Sequence, residues 1–438
     1  MTDPRPPLGT ESRTRAFQGA RHTPKALVAG TVGNVMEWYD FALYGFFAPI
    51  IAQLFFPSSS RLSALIATFG VFAVGFAVRP VGGIIFGYIG DRLGRSLVLR
   101  LSIITMGTAT FLLGLLPTHA RVGIWAPVLL VCVRLFQGLS VGGEFSGSVT
   151  YMVETSPLHR RGFSGSWANA GSLTGTLAGS GFAALITTVL PAHTVDSWGW
   201  RVPFLTGGLL AGLAYLYVRQ LGATPHMQHH ENQHAEDSPL REALTRNRRE
   251  TVLGVLFTAG YGIVFYLPLV YLPSYASEIG GTDQNLALWV NSLAIAVALP
   301  LIPLFGWASD HLLRRRTLLL AGFAATAACA WALLGLARHG LAGLLAAQIP
   351  LAVLVAVPLG VAPAMMVELF PVYDRLTGYS LAFNLGLGVA GGTAPMVATW
   401  LISATGVDGA PGGYLALGAL LSVLALSLMT DRSREPLR

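Results

Sequence analysis

Twelve stretches of this chain are apolar for long enough to cross a lipid bilayer, and that repetition limits the fold more than any other feature. They run at Ala26–Phe55, Leu62–Gly90, Leu97–Leu116, Val122–Val153, Gly165–Leu190 and Val202–Leu221, and then at Val252–Tyr275, Leu286–Ala308, Leu318–Ala337, Leu341–Val367, Gly378–Ala404 and Gly413–Met429. At about 1.5 Å per residue, a helix of each length matches a hydrocarbon core about 30 Å thick. Pro49, Pro80, Pro300, Pro303, Pro358 and Pro363 fall inside these runs. They do not demote them, because neighbouring helices in a bundle satisfy the freed backbone groups. Only 11% of the 438 residues are charged and the mean hydropathy is +0.59. Soluble domains carry about 25% charged residues. The expected fold is an all-α membrane protein of twelve transmembrane helices in two six-helix halves.

The divisions follow: a tail at 1–25, a first bundle at 26–221, a central loop at 222–250, a second bundle at 251–430 and a tail at 431–438. Met1–Lys25 is polar and has no apolar core, so it reads as a tail rather than a signal peptide. Lys and Arg fix the orientation. With the N-terminus inside, 22 of the 28 basic residues fall on the cytoplasmic side, four fall outside (Arg61, Arg121, Arg201, Arg338), and Arg79 and Arg134 lie within spans. Both termini are therefore expected in the cytoplasm, and the chain in the cytoplasmic (inner) membrane. The net charge of +7 matches an anionic membrane surface, and no basic–aromatic cluster suggests nucleic acid. His226, His229, His230 and His234 in the central loop are spaced too loosely for a metal site and read as a solvated linker. Cys132 and Cys329 lie in apolar runs and read as small packing residues.

The halves are copies. Gly87-Tyr-Ile-Gly-Asp91-Arg92-Leu-Gly-Arg95 follows the second span, and Gly306-Trp-Ala-Ser-Asp310-His-Leu-Leu-Arg314 follows the eighth. Glu154-Thr-Ser-Pro157-Leu-His-Arg160-Arg161 follows the fourth, and Glu368-Leu-Phe-Pro371-Val-Tyr-Asp-Arg375 follows the tenth. Two independent matches at nearly one offset mean parallel repetition after six spans, a transporter plan that puts the site between the halves.

Gly87–Arg95 resembles the loop signature of the major facilitator superfamily, and Arg134-Leu-Phe-Gln137-Gly138 resembles its fourth-helix signature. Gly33-Asn34-Val-Met-Glu37-Trp38-Tyr39-Asp40-Phe41, Arg79-Pro80, Gly142-Gly143-Glu144, Trp198-Gly-Trp200-Arg201-Val-Pro203-Phe204 and Glu368-Leu-Phe-Pro371 are similar to the metabolite:proton symporter branch. That branch includes proline/betaine, α-ketoglutarate, citrate and shikimate transporters. The second-half loop departs from the pattern at His311, where the family has a basic residue and then glycine. The resemblance implies that Asp91, Arg92 and Arg95 brace the closed cytoplasmic face. Asp310, Glu154, Arg161, Glu368 and Arg375 are expected in the same gating network.

A charged side chain at the bilayer centre costs about 2.5–3.5 kcal/mol on insertion scales, so it faces a partner or a watery cavity. Glu37, Asp40, Arg79, Arg134 and Glu144 are such residues. Glu37 and Asp40 share a face of the first span, at the depth of Arg134 on the fourth. They are expected to form with Arg134 the proton-coupling and substrate-orienting centre, the alternative being a permanent salt bridge. Arg79 and Glu144, nearer the cytoplasmic ends, read as gating or packing ion pairs. Asn34, Asn169, Asn291 and Asn384 are cavity candidates, because an unpaired amide facing lipid is costly. Trp38, Tyr39, Tyr44, Trp167, Tyr261, Tyr266 and Trp289 are either cavity lining or interface anchors. Gly171, Gly175 and Gly179 repeat every fourth residue, which suits close helix packing. No histidine lies mid-span, which leaves coupling to carboxylates.

No nucleophile–base set or phosphate-binding run argues for an enzyme or an ATP-driven pump. The expected function is proton-coupled symport, by alternating access, of a small organic acid such as a mono- or dicarboxylate. The alternatives are uptake of a zwitterionic osmolyte and, further off, proton-driven drug export. The expected partners are the small-molecule solute, protons and membrane lipid, with no cofactor or metal and a monomeric chain.

Overall fold

The computed structural model describes residues 24–82, 85, 95–140, 144–220, 247–372 and 375–437. Most of the central loop, with its histidines, lies outside these residues. The described helices fall into twelve apolar segments. In the first half, α1 is Pro24–Phe46 continued by Ala48–Phe55, α2 is Arg61–Gly82 and α3 is Arg95–Leu115. The next, α4, is Trp125–Leu139 with Glu144–Glu154, followed by α5 at Leu158–Val189 and α6 at Arg201–Gln220. In the second half, α7 is Arg248–Glu278, α8 Gln284–His311, α9 Arg315–Leu336, α10 Gly340–Leu369, α11 Arg375–Thr405 and α12 Ala410–Leu428. Eight of these are individually long and apolar enough to span a membrane. Helix ends reach beyond the apolar runs because backbone hydrogen bonding continues through polar residues. α7 thus opens at Arg248 rather than Val252.

The duplication in sequence is a duplication in packing. In the first half α1 packs on α5, α2 on α4, and α3 on α4 and α6. In the second, α7 packs on α11, α8 on α10, and α9 on α10 and α12. The two halves meet along α5 against α8 and α10, and along α2 against α11. Outward faces are apolar: Trp125, Leu209, Leu213, Trp331, Leu417 and Leu424 are all more than half exposed, as lipid contact requires. Cys132 and Cys329 also lie on exposed surface rather than in the packed interior.

Glycine makes the closest approaches possible. A Cβ on Gly175 of α5 would collide with the Val35 carbonyl and reach 3.0 Å from the Tyr39 amide of α1. Across the halves, a Cβ on Gly306 of α8 would come within 2.7 Å of the Gly162 carbonyl of α5. Two of the interface helices are locally widened to π turns, α7 at Leu267–Tyr271 beside Pro268 and α11 at Gly386–Gly391. Such widenings concentrate at functional sites. Here they flank the plane where the halves meet.

Candidate functional site

The first element is a chain of buried charges inside the first half. Glu37, Asp40, Phe41 and Tyr44 occupy one broad face of α1 by their three- and four-residue spacing. Three residues are about 300° of turn, so Glu37 and Asp40 point roughly 60° apart. That offset sends them to different partners. Asp40 Oδ1 accepts from the Thr110 hydroxyl of α3 at 2.7 Å, and Asp40 Oδ2 accepts from the Gln137 amide of α4. Arg134 Nη1 stands 3.9 Å from Asp40 Oδ2 and donates to the Gln137 carbonyl oxygen. The Arg134 guanidinium lies 3.8 Å over the Tyr44 ring. Gln137 therefore bridges acid and base, a role its place in the fourth-helix signature did not disclose.

Glu37 belongs to a second couple. Arg79 Nη2 of α2 is 3.2 Å from Glu37 Oε1, and both side chains are about 4% exposed. The Arg79 guanidinium lies 4.2 Å from the Phe76 ring centre and 4.5 Å from that of Phe41. This corrects one expectation: Glu37 and Asp40 do not share Arg134. Arg79 forms a buried ion pair with Glu37, which its long side chain reaches.

The Glu37–Arg79 couple abuts the second half through aromatic rings. Trp38 packs edge-on against Phe265 at 5.0 Å and stacks with Tyr266 at 6.3 Å. Phe72 and Phe76 of α2 meet Tyr266 edge-on at 5.7 and 5.5 Å. Of the aromatics considered, Trp38, Tyr39, Tyr44, Tyr261 and Tyr266 are buried, whereas Trp167 and Trp289 are about half exposed.

One helical turn away along α7, a small cavity of ≈ 10 Å³, room for about one water, lies between the halves, lined by Phe145, Asn169, Phe257, Thr258, Tyr261, Ala362, Pro363, Met366, Tyr379 and Phe383. Asn169 Nδ2 donates across it to the Leu359 carbonyl at 2.7 Å and to the Tyr261 hydroxyl at 3.2 Å. Asn169 alone of the four asparagines lines this cavity. Asn34 donates to the Ala168 carbonyl and Ser172 hydroxyl, both at 2.9 Å, in the α1–α5 seam. Asn291 donates to Ser180 at 3.1 Å and accepts from Gln348, tying α8 to α5 and α10. Asn384 donates to the Ser380 carbonyl of its own helix at 2.9 Å.

Contacts join the halves on both sides of the cavity. On the arginine-rich face, where α5, α9 and α11 begin, Arg375 Nη1 reaches Glu154 Oε1 at 2.5 Å, and Arg161 Nη1 is 3.7 Å from Glu368 Oε1. The Asp310 carboxylate accepts from the backbone amides of Gly162 at 2.8 Å and Phe163 at 2.9 Å, at the start of α5, and from Arg315 at 2.7 Å. An anion at a helix start is favoured by the helix dipole and by amides with no partner in the helix. Phe145 stacks on Phe383 at 4.7 Å in the cavity wall. Arg161 and Arg315 also donate to the carbonyls of Glu435 and Ser433, so the chain after α12 docks on the same network. On the opposite face Arg61 pairs with Glu278, and Asn285 and Trp289 of α8 donate to Thr188 of α5. Arg315 was visible in sequence only as one of three consecutive arginines. Asp91 and Arg92 lie outside the described residues, as do the side chains of Arg95 and Glu144.

The chain matches the family "Sugar (and other) transporter" over residues 25–250 and "Major Facilitator Superfamily" over residues 270–438. The proline/betaine transporter of Salmonella typhimurium is 32% identical over 94% of this chain and 85% of its own length. This chain belongs to the major facilitator superfamily. The glycine betaine/proline/ectoine/pipecolic acid transporter of Dickeya dadantii is 34% identical over 94% of this chain and 84% of its own. Among solved structures, a D-xylose–proton symporter superposes with a TM-score of 0.74 at 18% identity, covering 95% of this chain and 100% of that one. The transporter FucP in an outward conformation superposes with a TM-score of 0.61 at 16% identity, covering 94% and 99%. As a major facilitator superfamily member the protein is a multi-pass membrane transporter and not an enzyme.

Proposed function

We propose that this transporter takes up a zwitterionic osmolyte of the betaine or proline class together with protons. The cavity lining carries the reading. It is aromatic and apolar with Asn169, Thr258, Tyr261 and Tyr379 as its polar members, and among the described residues it includes no charged side chain. The nearby guanidiniums of Arg79 and Arg134 each face a carboxylate. Such surroundings suit a ligand with no net charge, and aromatic faces attract quaternary ammonium groups. A dicarboxylate would want cations that are not already matched. The names of the similar proteins point the same way, and so the osmolyte replaces the organic acid as the leading substrate class.

In this reading the arginine-rich face is cytoplasmic, because basic loops stay inside. Alternating access breaks the Glu154–Arg375, Arg161–Glu368 and Asp310–α5 contacts in turn with those on the other face. Asp40 carries the proton. Its partners Thr110, Gln137 and Arg134 all belong to the first half, so the couple travels as a unit while the halves rock. One elementary charge moved inward supplies about 2.3 kcal/mol per 100 mV, roughly a fifty-fold gradient. The test is uptake by proteoliposomes under an imposed inward proton gradient, comparing labelled glycine betaine and proline with malate and citrate. Gradient-stimulated uptake of the zwitterions alone is expected. Uptake of the acids alone would restore the organic-acid reading.

A further inference from the structure

Three buried donors around Glu37 lack partners. Trp38 Nε1, Arg79 Nε and the Tyr266 hydroxyl have no hydrogen-bond partner among the described residues. Trp38 and Arg79 are 5% and 3% exposed and Tyr266 is 1% exposed. A buried polar group without a partner costs several kcal/mol on scales that exclude hydrogen bonding. Native structures rarely tolerate one, and each instance calls for an explanation.

The three belong to one cluster. The Trp38 and Tyr266 rings stack at 6.3 Å, Tyr266 meets Phe76 at 5.5 Å, Phe76 lies 4.2 Å beneath the Arg79 guanidinium, and Arg79 holds Glu37 at 3.2 Å. Two donors come from the first half and one from the second. An indole N–H and a guanidinium N–H only donate, and a phenol donates readily. Each of the three therefore wants an acceptor, and a carboxylate offers two oxygens with several lone pairs where an alcohol offers one.

We propose that Trp38, Arg79 and Tyr266 form a carboxylate clamp that selects the acidic end of the transported zwitterion. The inference rests on the osmolyte reading above. With the carboxylate held there, the cationic end lies toward Glu37 and the rings of Phe265 and Tyr261. Because Tyr266 comes from the opposite half to Trp38 and Arg79, the clamp is complete only while the halves are together, so it binds tightest in the closed arrangement.

The test uses the purified full-length protein in detergent and follows thermal stabilisation by glycine betaine and by choline, which keeps the quaternary ammonium and replaces the carboxylate with an alcohol. Trp38→Phe and Tyr266→Phe each remove one donor and keep a ring. A hydrogen bond to a charged group is worth about 1.5–3 kcal/mol, so each substitution should weaken apparent betaine affinity about tenfold or more. Choline should leave all three proteins unstabilised. Wild-type betaine affinity in both variants would overturn the clamp and leave the osmolyte reading standing. Stabilisation of the unsubstituted protein by choline but not betaine would overturn the clamp directly. No response of that protein to betaine or proline would overturn the osmolyte reading and the clamp with it.

Discussion

Asp310→Asn should open the arginine-rich face. The Asp310 side chain is fully buried and accepts two backbone amides from the opposite half, at 2.8 and 2.9 Å. Asparagine is nearly isosteric but has one acceptor oxygen, and its NH₂ group cannot accept from an amide. One amide at the start of α5 thus loses its partner and the other loses a charged one. Arg315 is not orphaned, because it keeps Glu368 at 3.2 Å and the Ser433 carbonyl at 3.1 Å. The cost falls on the contact between halves. Hydrogen bonds to a charged group are worth about 1.5–3 kcal/mol each, so a net loss of about 2 kcal/mol is reasonable. That shifts the closed-to-open equilibrium about thirty-fold, since 1.4 kcal/mol is a factor of ten. Nitroxide labels at the exposed positions Leu158 and Val372, on opposite halves of this face, report it by double electron–electron resonance. The variant should gain a longer-distance population at the expense of the closed one. An unchanged distance distribution would refute the assignment of Asp310 as a latch between halves.

Three further outcomes follow from the packing. Gly175→Leu should lower the yield of folded protein sharply, because even a Cβ collides with the Val35 carbonyl, whereas Gly181→Leu, where a Cβ meets nothing within 4 Å, should be tolerated by size-exclusion chromatography. Arg375→Ala should leave Glu154 without its partner and populate the open arrangement in the same resonance experiment, and an Arg375→Ala/Glu154→Ala pair should lose less than the sum of the single changes. Docking of the final segment should survive mild acid: burial alone would raise the Asp431 carboxyl, but hydrogen bonds from the Ser433 hydroxyl and amide and the Arg316 amide, with Arg314 nearby, hold it below the ordinary value. A depressed carboxylate stabilises the docked form above about pH 3.9 and loses that contribution as pH falls through its own lower value. A nitroxide in place of Leu437 should stay immobile from pH 7 to 5 and loosen only below pH 4.

The helices and their duplication were legible because hydropathy and repeated loop residues report them directly. The couples Glu154–Arg375 and Arg161–Glu368 join residues that the internal repeat had singled out, one from each half. The centre was only partly legible. Depth along a helix is one coordinate, and Glu37, Asp40, Arg79 and Arg134 differ mainly in the other, the direction round the helix. The 60° between Glu37 and Asp40 and the reach of an arginine stem decided the pairings. Gln137 and Thr110 were silent because neutral hydrogen-bonding residues stand out from an apolar run far less than charges do. Trp38 and Tyr266 read equally as cavity lining or interface anchors, because only the packing of the two halves buries each ring against the other.

The most direct test of the account separates proton-driven accumulation from carrier-mediated exchange in Asp40→Asn. The residue lies wholly within the first half, held by Thr110, Gln137 and Arg134, so the amide should leave the cavity and the rocking of the halves intact. Glycine betaine counterflow in proteoliposomes should then persist, while accumulation driven by an imposed proton gradient should vanish. Accumulation at the unsubstituted level would contradict a proton carried at Asp40 and, with it, the mechanism proposed for this transporter.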